Sequence, residues 1–153
     1  MPQETRGQEV TLPVLTRIDH VGIACHDLDE KVAFYESLFE LTVTSREVNE
    51  EQGVREAMLR VADGPAGSSW IQLLAPLAAD TPVGRFLARR GEGIHHIGYG
   101  VNDITQALAS IGASGVRLLD TRPRHGSMGA SIAFIHPADV GGVLTELVEM
   151  TKS

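Results

Sequence analysis

The sequence has one cysteine and few basic residues, and each scarcity excludes a class of protein. Cys25 is the only cysteine among 153 residues, so no disulfide can form within the chain. Basic residues number 13 against 20 acidic ones, which gives a formal net charge of −7. Nucleic acids and anionic membranes attract clustered Lys and Arg, and neither is expected as a partner. A chain with one cysteine also fits the reducing cytoplasm.

Long apolar runs are also missing. No uninterrupted run approaches the roughly 20 residues that cross a bilayer, so the sequence does not predict a membrane protein. Residues 1–14 are polar with few apolar anchors, and we expect them to form a mobile N-terminal tail. We predict one domain over residues 15–150, because a chain of this length buries roughly 70% of its unfolded surface.

An internal repeat is the most informative feature of the sequence. The stretch GIHHIGYGV at 93–101 repeats the pattern of RIDHVGIAC at 17–25, so that His20 aligns with His96 and Gly22 aligns with Gly98. Both stretches alternate residues with a period of two and are rich in β-branched side chains, which predicts a β-strand. Equivalent histidines therefore lie in equivalent strands.

The elements around the two stretches recur in the same order. The first half predicts a strand, a helix capped by Asp27 and three further strands, at 18–24, 28–39, 41–47, 54–61 and 70–74. The second half predicts a strand in 93–101, a helix capped by Asp103, and strands at 116–119, 131–136 and 143–149. A short helix at about 81–91, with Thr81 as its cap and Gly91 at its end, joins the halves.

This order predicts an α+β fold made of two tandem βαβββ modules, about 17–76 and 93–150. Each unit has a sheet face that it cannot bury alone, so we expect the two copies to share one curved mixed sheet, or half-barrel. Its concave side would gather side chains from both modules.

Each module offers one potential metal ligand on its first strand and another on its last. His20 and His96 form the first pair, and Gln72 in WIQLL aligns with Glu146 in LTELV. Each residue alone would be more typical of a core or surface position, but matched pairs indicate a shared site. Two imidazoles, a carboxylate and an amide oxygen suit Co²⁺, Mn²⁺, Ni²⁺ or Zn²⁺ better than Ca²⁺ or Mg²⁺. His95 is expected to point to the opposite face of the sheet and to be structural.

Glu56 is a carboxylate that the repeat does not require. When Gln72 is aligned with Glu146, Glu56 falls opposite Ala130, because each precedes its reference residue by 16 positions. Glu56 shares a strand face with Val54 and Met58, where desolvation would raise its pKa and suit it to general-base catalysis. The alternative is an exposed edge-strand glutamate paired with a neighbouring arginine.

These residues resemble the vicinal oxygen chelate superfamily, and within it the methylmalonyl-CoA epimerase family. The resemblance covers about residues 15–150 and rests on IDHVGIA at 18–24, NEEQGVREAM at 49–58, QLLAP at 72–76, GIHHI at 93–97 and GVLTEL at 142–147. The first and fourth segments are typical of the whole superfamily. The segments around Glu56 and Gln72 favour the epimerases.

The resemblance implies a homodimeric cytoplasmic isomerase of propionate metabolism, with His20, Gln72, His96 and Glu146 as ligands of a divalent metal. Co²⁺ is favoured, with Mn²⁺, Ni²⁺ and Zn²⁺ as alternatives. The implied reaction interconverts (2R)- and (2S)-methylmalonyl-CoA by removing and returning the C2 proton through a metal-stabilised enolate. Glu56 and Glu146 are the expected acid and base on the two faces of C2. The basic loop at 121–129 is either a lid that touches CoA phosphates or a solvated loop.

Three other functions fit the same fold. A glyoxalase-type isomerase would move a proton in a glutathione hemithioacetal on the same metal scaffold. A ring-cleaving dioxygenase would use Fe(II) with two histidines and one carboxylate, leaving Gln72 without a role. A metal-free binding protein that sequesters ligands such as antibiotics would need none of the four ligands.

Overall fold

A computed structural model describes residues 15–151. The strands are β1 (Leu15–Ala24), β2 (Leu41–Asn49), β3 (Val54–Val61), β4 (Trp70–Pro76), β5 (Gly93–Val101), β6 (Arg124–His125), β7 (Ser131–Ile135) and β8 (Thr145–Glu149). The helices are α1 (Leu28–Phe39), α2 (Pro82–Arg90) and α3 (Ile104–Ala113). The tail predicted over residues 1–14 lies outside the described residues.

The strands form a single mixed sheet in the order β2-β3-β4-β1-β5-β8-β7-β6. The repeated strands β1 and β5 are antiparallel neighbours at its centre. Each also pairs in parallel with the last strand of its own half, β4 or β8. Read outward from the centre, the first half has the order β1, β4, β3, β2, and the second half has the equivalent order β5, β8, β7, β6. The predicted α+β fold, a curved half-barrel sheet with βαβββ repeats, is confirmed. The boundaries of the domain and its modules stay a prediction.

The helix signals read from the sequence are also confirmed. Asp27, Thr81 and Asp103 each accept a hydrogen bond from the backbone N–H three residues on, as N-cap residues do. Gly91 ends α2 with φ 74°, a conformation that favours glycine. None of the helices between residues 15 and 151 has the length and apolar character needed to span a bilayer.

Helices α1 and α3 pack against the same face of the sheet. Leu28 and Val32 of α1 pack against Ala57 and Leu73, which are odd-numbered residues of β3 and β4. In the second half, residues of α3 pack in the same way against β7 and β8. Because strand side chains alternate, the even-numbered residues of these strands lie on the opposite face. That face carries the polar residues of the candidate site.

The predicted strand at 116–119 is wrong. This segment makes only an isolated bridge between Leu118 and Ile135. The backbone N–H groups of Leu119 and Asp120 both donate to the carbonyl of Phe134, so the chain turns away instead of continuing a ladder. The two-residue strand β6 occupies the edge of the sheet beside β7.

Candidate active site and metal centre

The central strands bring the two equivalent histidines together. In the β1–β5 pairing His20 lies opposite Gly98, and His96 lies opposite Gly22. A Cβ atom at either glycine would overlap the facing imidazole, so the missing side chain creates the space for each ring. The ring centroids are 5.0 Å apart and the two Nε2 atoms are 2.9 Å apart. The two modules therefore present their imidazoles at one point.

The second pair of repeated residues lies on either side of the histidines. Gln72 is the register partner of Gly22 on β1, and Glu146 is that of Gly98 on β5. The Glu146 oxygens lie 3.3 Å from Nε2 of His20 and 3.6 Å from Nε2 of His96. All four predicted ligands are buried.

The orientation of the Gln72 amide fits a metal ligand. Its Nε2 donates to Oε2 of Glu56 at 2.8 Å and to Oγ of Ser127 at 2.9 Å. Its Oε1 is buried without a hydrogen-bond partner, and an unpaired buried oxygen is costly unless something else binds it. One donor atom each from His20, His96 and Glu146 lies within 4.8 Å of the others. Nitrogen and oxygen donors of this kind suit a divalent metal ion.

A carboxylate orients His20 from behind. Oδ2 of Asp19 lies 2.8 Å from Nδ1 of His20, and Oδ1 of Asp19 accepts from the Arg17 guanidinium. A carboxylate on the far nitrogen of an imidazole fixes its tautomer and directs the other nitrogen toward a metal. Burial disfavours the imidazolium, but hydrogen bonds to Asp19 and Glu146 outweigh it and raise the pKa of His20 to about 9, so a metal ion that binds here would displace the proton. Burial lowers the pKa of His96, which stays neutral and available as a ligand.

The expectation that His95 points away from the site is wrong. Its Nδ1 lies 2.9 Å from Nδ1 of His96, and its ring packs edge-on against Phe86. The β1–β5 register jumps at this position, since Gly22 pairs with His96 and the next residue on β1 pairs with Ile94. Such a bulge adds an unpaired residue and redirects its side chain.

Glu56 is held by donors on both oxygens. Ser127 donates its hydroxyl to Oε1 at 2.6 Å, and Gln72 donates to Oε2 at 2.8 Å. Burial raises the pKa of Glu56 to about 7, with added repulsion from Glu47 and Glu146 and opposition from the Ser127 hydrogen bond. A carboxylate poised near neutrality can both accept and return a proton.

The repeat places Glu56 opposite Ile132, so the expected alignment with Ala130 is wrong. Glu56 pairs with Leu74, two residues after Gln72, and Ile132 pairs with Val148, two residues after Glu146. The alignment shifts because Ile132 precedes Glu146 by 14 residues, whereas Glu56 precedes Gln72 by 16. The conclusion is unchanged, since the equivalent position holds an apolar residue.

One cavity of about 240 Å³ joins these groups. Glu56, Gln72, His96 and Glu146 line it, and the apolar side chains around them include Val54, Leu74, Val83, Ile132, Phe134 and Leu144. Apolar walls exclude water and strengthen the electrostatic interactions inside. His20 lies behind this cavity, in contact with Glu146 and His96.

Sequence reasoning missed two residues of this site. Asp19 directly precedes His20, and a carboxylate next to a potential ligand is a signal that could have identified it. Ser127 lies in the glycine-rich loop between β6 and β7, 71 positions from Glu56. No periodicity in the sequence connects two residues that far apart.

Comparisons with known proteins agree with this geometry. Residues 19–134 match the sequence profile of the Glyoxalase/Bleomycin resistance protein/Dioxygenase superfamily. A solved methylmalonyl-CoA epimerase in complex with methylmalonyl-CoA and NH4+ superimposes with a TM-score of 0.86 and 54% identity, over 90% of this chain and 96% of that one.

Two further relatives carry the same name. A glutamate-to-glutamine variant of the Streptomyces coelicolor methylmalonyl-CoA epimerase, in complex with 2-nitronate-propionyl-CoA, is 53% identical with a TM-score of 0.86, over 91% of this chain and 100% of that one. The mitochondrial methylmalonyl-CoA epimerase of Homo sapiens is 34% identical over 134 residues, which are 87% of this chain and 73% of the relative. The chain belongs to the Glyoxalase/Bleomycin resistance protein/Dioxygenase superfamily, and within it to the methylmalonyl-CoA epimerases.

Proposed function

We propose that this chain is a metal-dependent epimerase that interconverts (2R)- and (2S)-methylmalonyl-CoA. The observation that carries the proposal is the arrangement of Glu56 and Glu146, which line one cavity from opposite halves of the sheet. The strands that carry the other three proposed metal ligands lie between them. A related epimerase was solved in complex with methylmalonyl-CoA, and we assign the same substrate to this cavity.

The reacting proton of this substrate is on C2, between a thioester and a carboxylate. Its removal leaves negative charge on the thioester oxygen, which must be stabilised for the proton to leave. A divalent ion held by His20, Gln72, His96 and Glu146 would supply that stabilisation as a Lewis acid. Asp19 would keep the His20 ring in the orientation that this requires.

Epimerisation needs proton transfer on both faces of the planar intermediate. Glu56 extends from β3 and Glu146 from β8, and three strands of the sheet lie between them. We assign Glu56 to one face of C2 and Glu146 to the other. One carboxylate removes the C2 proton while the other delivers a proton, and the roles exchange for the opposite epimer.

We propose Co²⁺ as the metal, with Mn²⁺, Ni²⁺ and Zn²⁺ as alternatives. Two imidazole nitrogens with two oxygen donors favour these borderline ions over Ca²⁺ and Mg²⁺. Metal-free protein loaded with each ion in turn would rank them by affinity and by turnover.

A basic groove beside the cavity supports CoA as the carrier. Arg85, Arg89 and Arg90 of α2 line it together with His136, and it continues into the cavity at Pro82. Three arginines on one short helix are unusual in a chain of net charge −7, and they suit phosphate groups. We assign the CoA phosphates to this groove rather than to the loop at 121–129, because Arg124 of that loop lies near Asp120 and Glu51 at 3.2 and 3.7 Å.

We further propose a homodimer in the cytoplasm, acting in propionate metabolism. Ile18 and Ile94 occupy repeated positions on the central strands and are 53% and 62% exposed, which supports a partner copy. The single buried Cys25 supports a reducing compartment. Sedimentation equilibrium and cell fractionation test these two points.

A stereochemical assay tests the function. Incubation of one epimer of methylmalonyl-CoA with the metal-loaded protein is expected to give both epimers, with and without oxygen. Retention of a single epimer would overturn the proposal. Turnover of the glutathione hemithioacetal would favour the glyoxalase-type isomerase. A requirement for oxygen would favour the dioxygenase, and purification without bound metal would favour the binding protein.

A further inference from the structure

Two consecutive residues of the loop between β6 and β7 contact two glutamates that face each other on neighbouring strands. Glu47 on β2 is the register partner of Glu56 on β3. Ser127 donates its hydroxyl to Glu56 at 2.6 Å. The next residue, Met128, donates its backbone N–H to both Glu47 oxygens at 3.1 Å. The loop is therefore attached to the β2–β3 pair at adjacent points.

Met128 has a backbone conformation that requires support. Its φ of 55° and ψ of 35° lie in the left-handed region, which residues with a Cβ atom adopt at a cost. A carboxylate that accepts the N–H of this residue with both oxygens makes a charge-assisted contact. Glu47 thus acts at the strained position of the loop.

Apart from the Gln72 amide, which also donates to the Ser127 hydroxyl, the remaining side-chain anchors of the loop act at its ends. Side-chain amides of Asn49 and Gln52 donate to the carbonyl of His125 at 3.3 Å, where the loop begins. The Thr151 hydroxyl donates to the carbonyl of Gly129, where it ends. Within residues 15–151, Glu47 is the side chain that binds the backbone next to Ser127.

We propose that Glu47 is a positioning residue for the epimerisation. By holding Met128 in the left-handed conformation, it keeps the Ser127 hydroxyl on Glu56 and fixes the orientation of the carboxylate that moves the proton. Glu47 itself does not line the cavity that holds the reacting groups. The activity part of this proposal rests on the proposed function of Glu56.

Substitutions at Glu47 test this role through kcat. Glu47→Ala is expected to lower kcat about 10- to 100-fold with little change in KM, because small misplacement of a catalytic group costs factors of this size. Glu47→Gln should keep most of kcat, since its amide oxygen can still accept the Met128 N–H. The control is Glu50→Ala, which removes the same charge at an exposed position after β2 and should leave kcat unchanged.

A rescue experiment separates this role from a general effect of the charge. Glycine at position 128 adopts the left-handed conformation without strain. Adding Met128→Gly to Glu47→Ala should therefore raise kcat at least about tenfold above that of Glu47→Ala alone. In a Ser127→Ala background, Glu47→Ala should add little further loss, because both substitutions remove the same contact. An unrescued kcat, or fully additive losses, would overturn the proposal.

Hydrogen exchange of the Met128 amide tests the contact without the reaction. The amide should be protected in the unmodified protein and in Glu47→Gln, and should exchange rapidly in Glu47→Ala. Unchanged protection in Glu47→Ala would overturn the proposal. Absence of epimerase activity in the unmodified protein would overturn the proposed function instead, and the exchange data would still decide whether Glu47 holds the loop.

Discussion

The imidazole of His20 lies directly against Gly98 of the opposite half of the sheet. A Cβ atom at Gly98 would overlap this ring, with Nδ1 only 2.6 Å away. The same relationship holds between His96 and Gly22, the equivalent residues of the repeat. Each module therefore supplies both a histidine and the space for the histidine of the other module. The two halves of the metal centre depend on each other.

Gly98→Ala should displace His20 and weaken metal binding. We expect the affinity to fall by about 10- to 100-fold, the scale observed when a ligand loses its orientation, while the fold persists. Competition with a chromophoric chelator measures the affinity. Gly93→Ala is the matched control, since a Cβ at that glycine of the same strand meets nothing within 4 Å. Equal affinities of the two variants would contradict the account.

Glu56→Gln should separate metal binding from catalysis. The amide keeps the shape of the side chain but cannot accept the C2 proton, so solvent-deuterium exchange of the epimer whose C2 proton faces Glu56 should fall by about 10²- to 10⁴-fold. Metal affinity should change little, because Glu56 is outside the donor set. Mass spectrometry of the thioester measures the exchange. Turnover at the unmodified rate would remove Glu56 from the mechanism.

The pH dependence of exchange should report the ionisation of Glu56. Its pKa is raised to about 7, so the carboxylate form that accepts the proton is lost as the pH falls through neutrality. For the epimer whose C2 proton Glu56 accepts, kcat/KM should decrease about tenfold per unit below that pH and level off above it. Ser127→Ala removes a hydrogen bond that lowers the pKa and should move the midpoint to higher pH. A rate independent of pH between about 5 and 8 would rule out this base.

The double variant Arg89→Ser, Arg90→Ser should affect binding of the CoA portion alone. We expect KM for the CoA ester to rise by about 3- to 10-fold at low salt, the range of one weakened hydrogen bond or charge contact, and kcat to stay unchanged. The corresponding pantetheine thioester, which lacks the nucleotide phosphates, should show no difference. Arg46→Ser is the control, because Arg46 pairs with Asp29 at 2.6 Å on another surface. Identical KM values for both variants would place the phosphates elsewhere.

Local patterns in the sequence predicted the sheet and most of the candidate site. Residues His20 and His96 could be paired because alternation along a strand determines which face a side chain occupies. Gln72 and Glu146 could be paired because WIQLL at 70–74 and LTELV at 144–148 repeat each other at nearly the spacing of the histidines.

The features that escaped prediction depend on contacts between distant segments. Ser127 and Met128 meet Glu56 and Glu47 over separations of 71 and 81 positions, through a loop whose path depends on a left-handed methionine. His95 was misplaced because a bulge interrupts the alternation that the prediction assumed. The spacing from Ile132 to Glu146 is two residues shorter than that from Glu56 to Gln72, which shifted the predicted partner of Glu56. None of these leaves a periodic signal.

The central claim is that a bound metal is required to move the C2 proton, and deuterium exchange at C2 of methylmalonyl-CoA tests it most directly. The exchange is followed with metal-free protein and again after one ion at a time is restored. We expect negligible exchange without metal, recovery with Co²⁺ and weaker or equal recovery with Mn²⁺, Ni²⁺ or Zn²⁺. The exchanged product should contain both epimers. Exchange at an undiminished rate in protein verified to be free of metal would contradict the account.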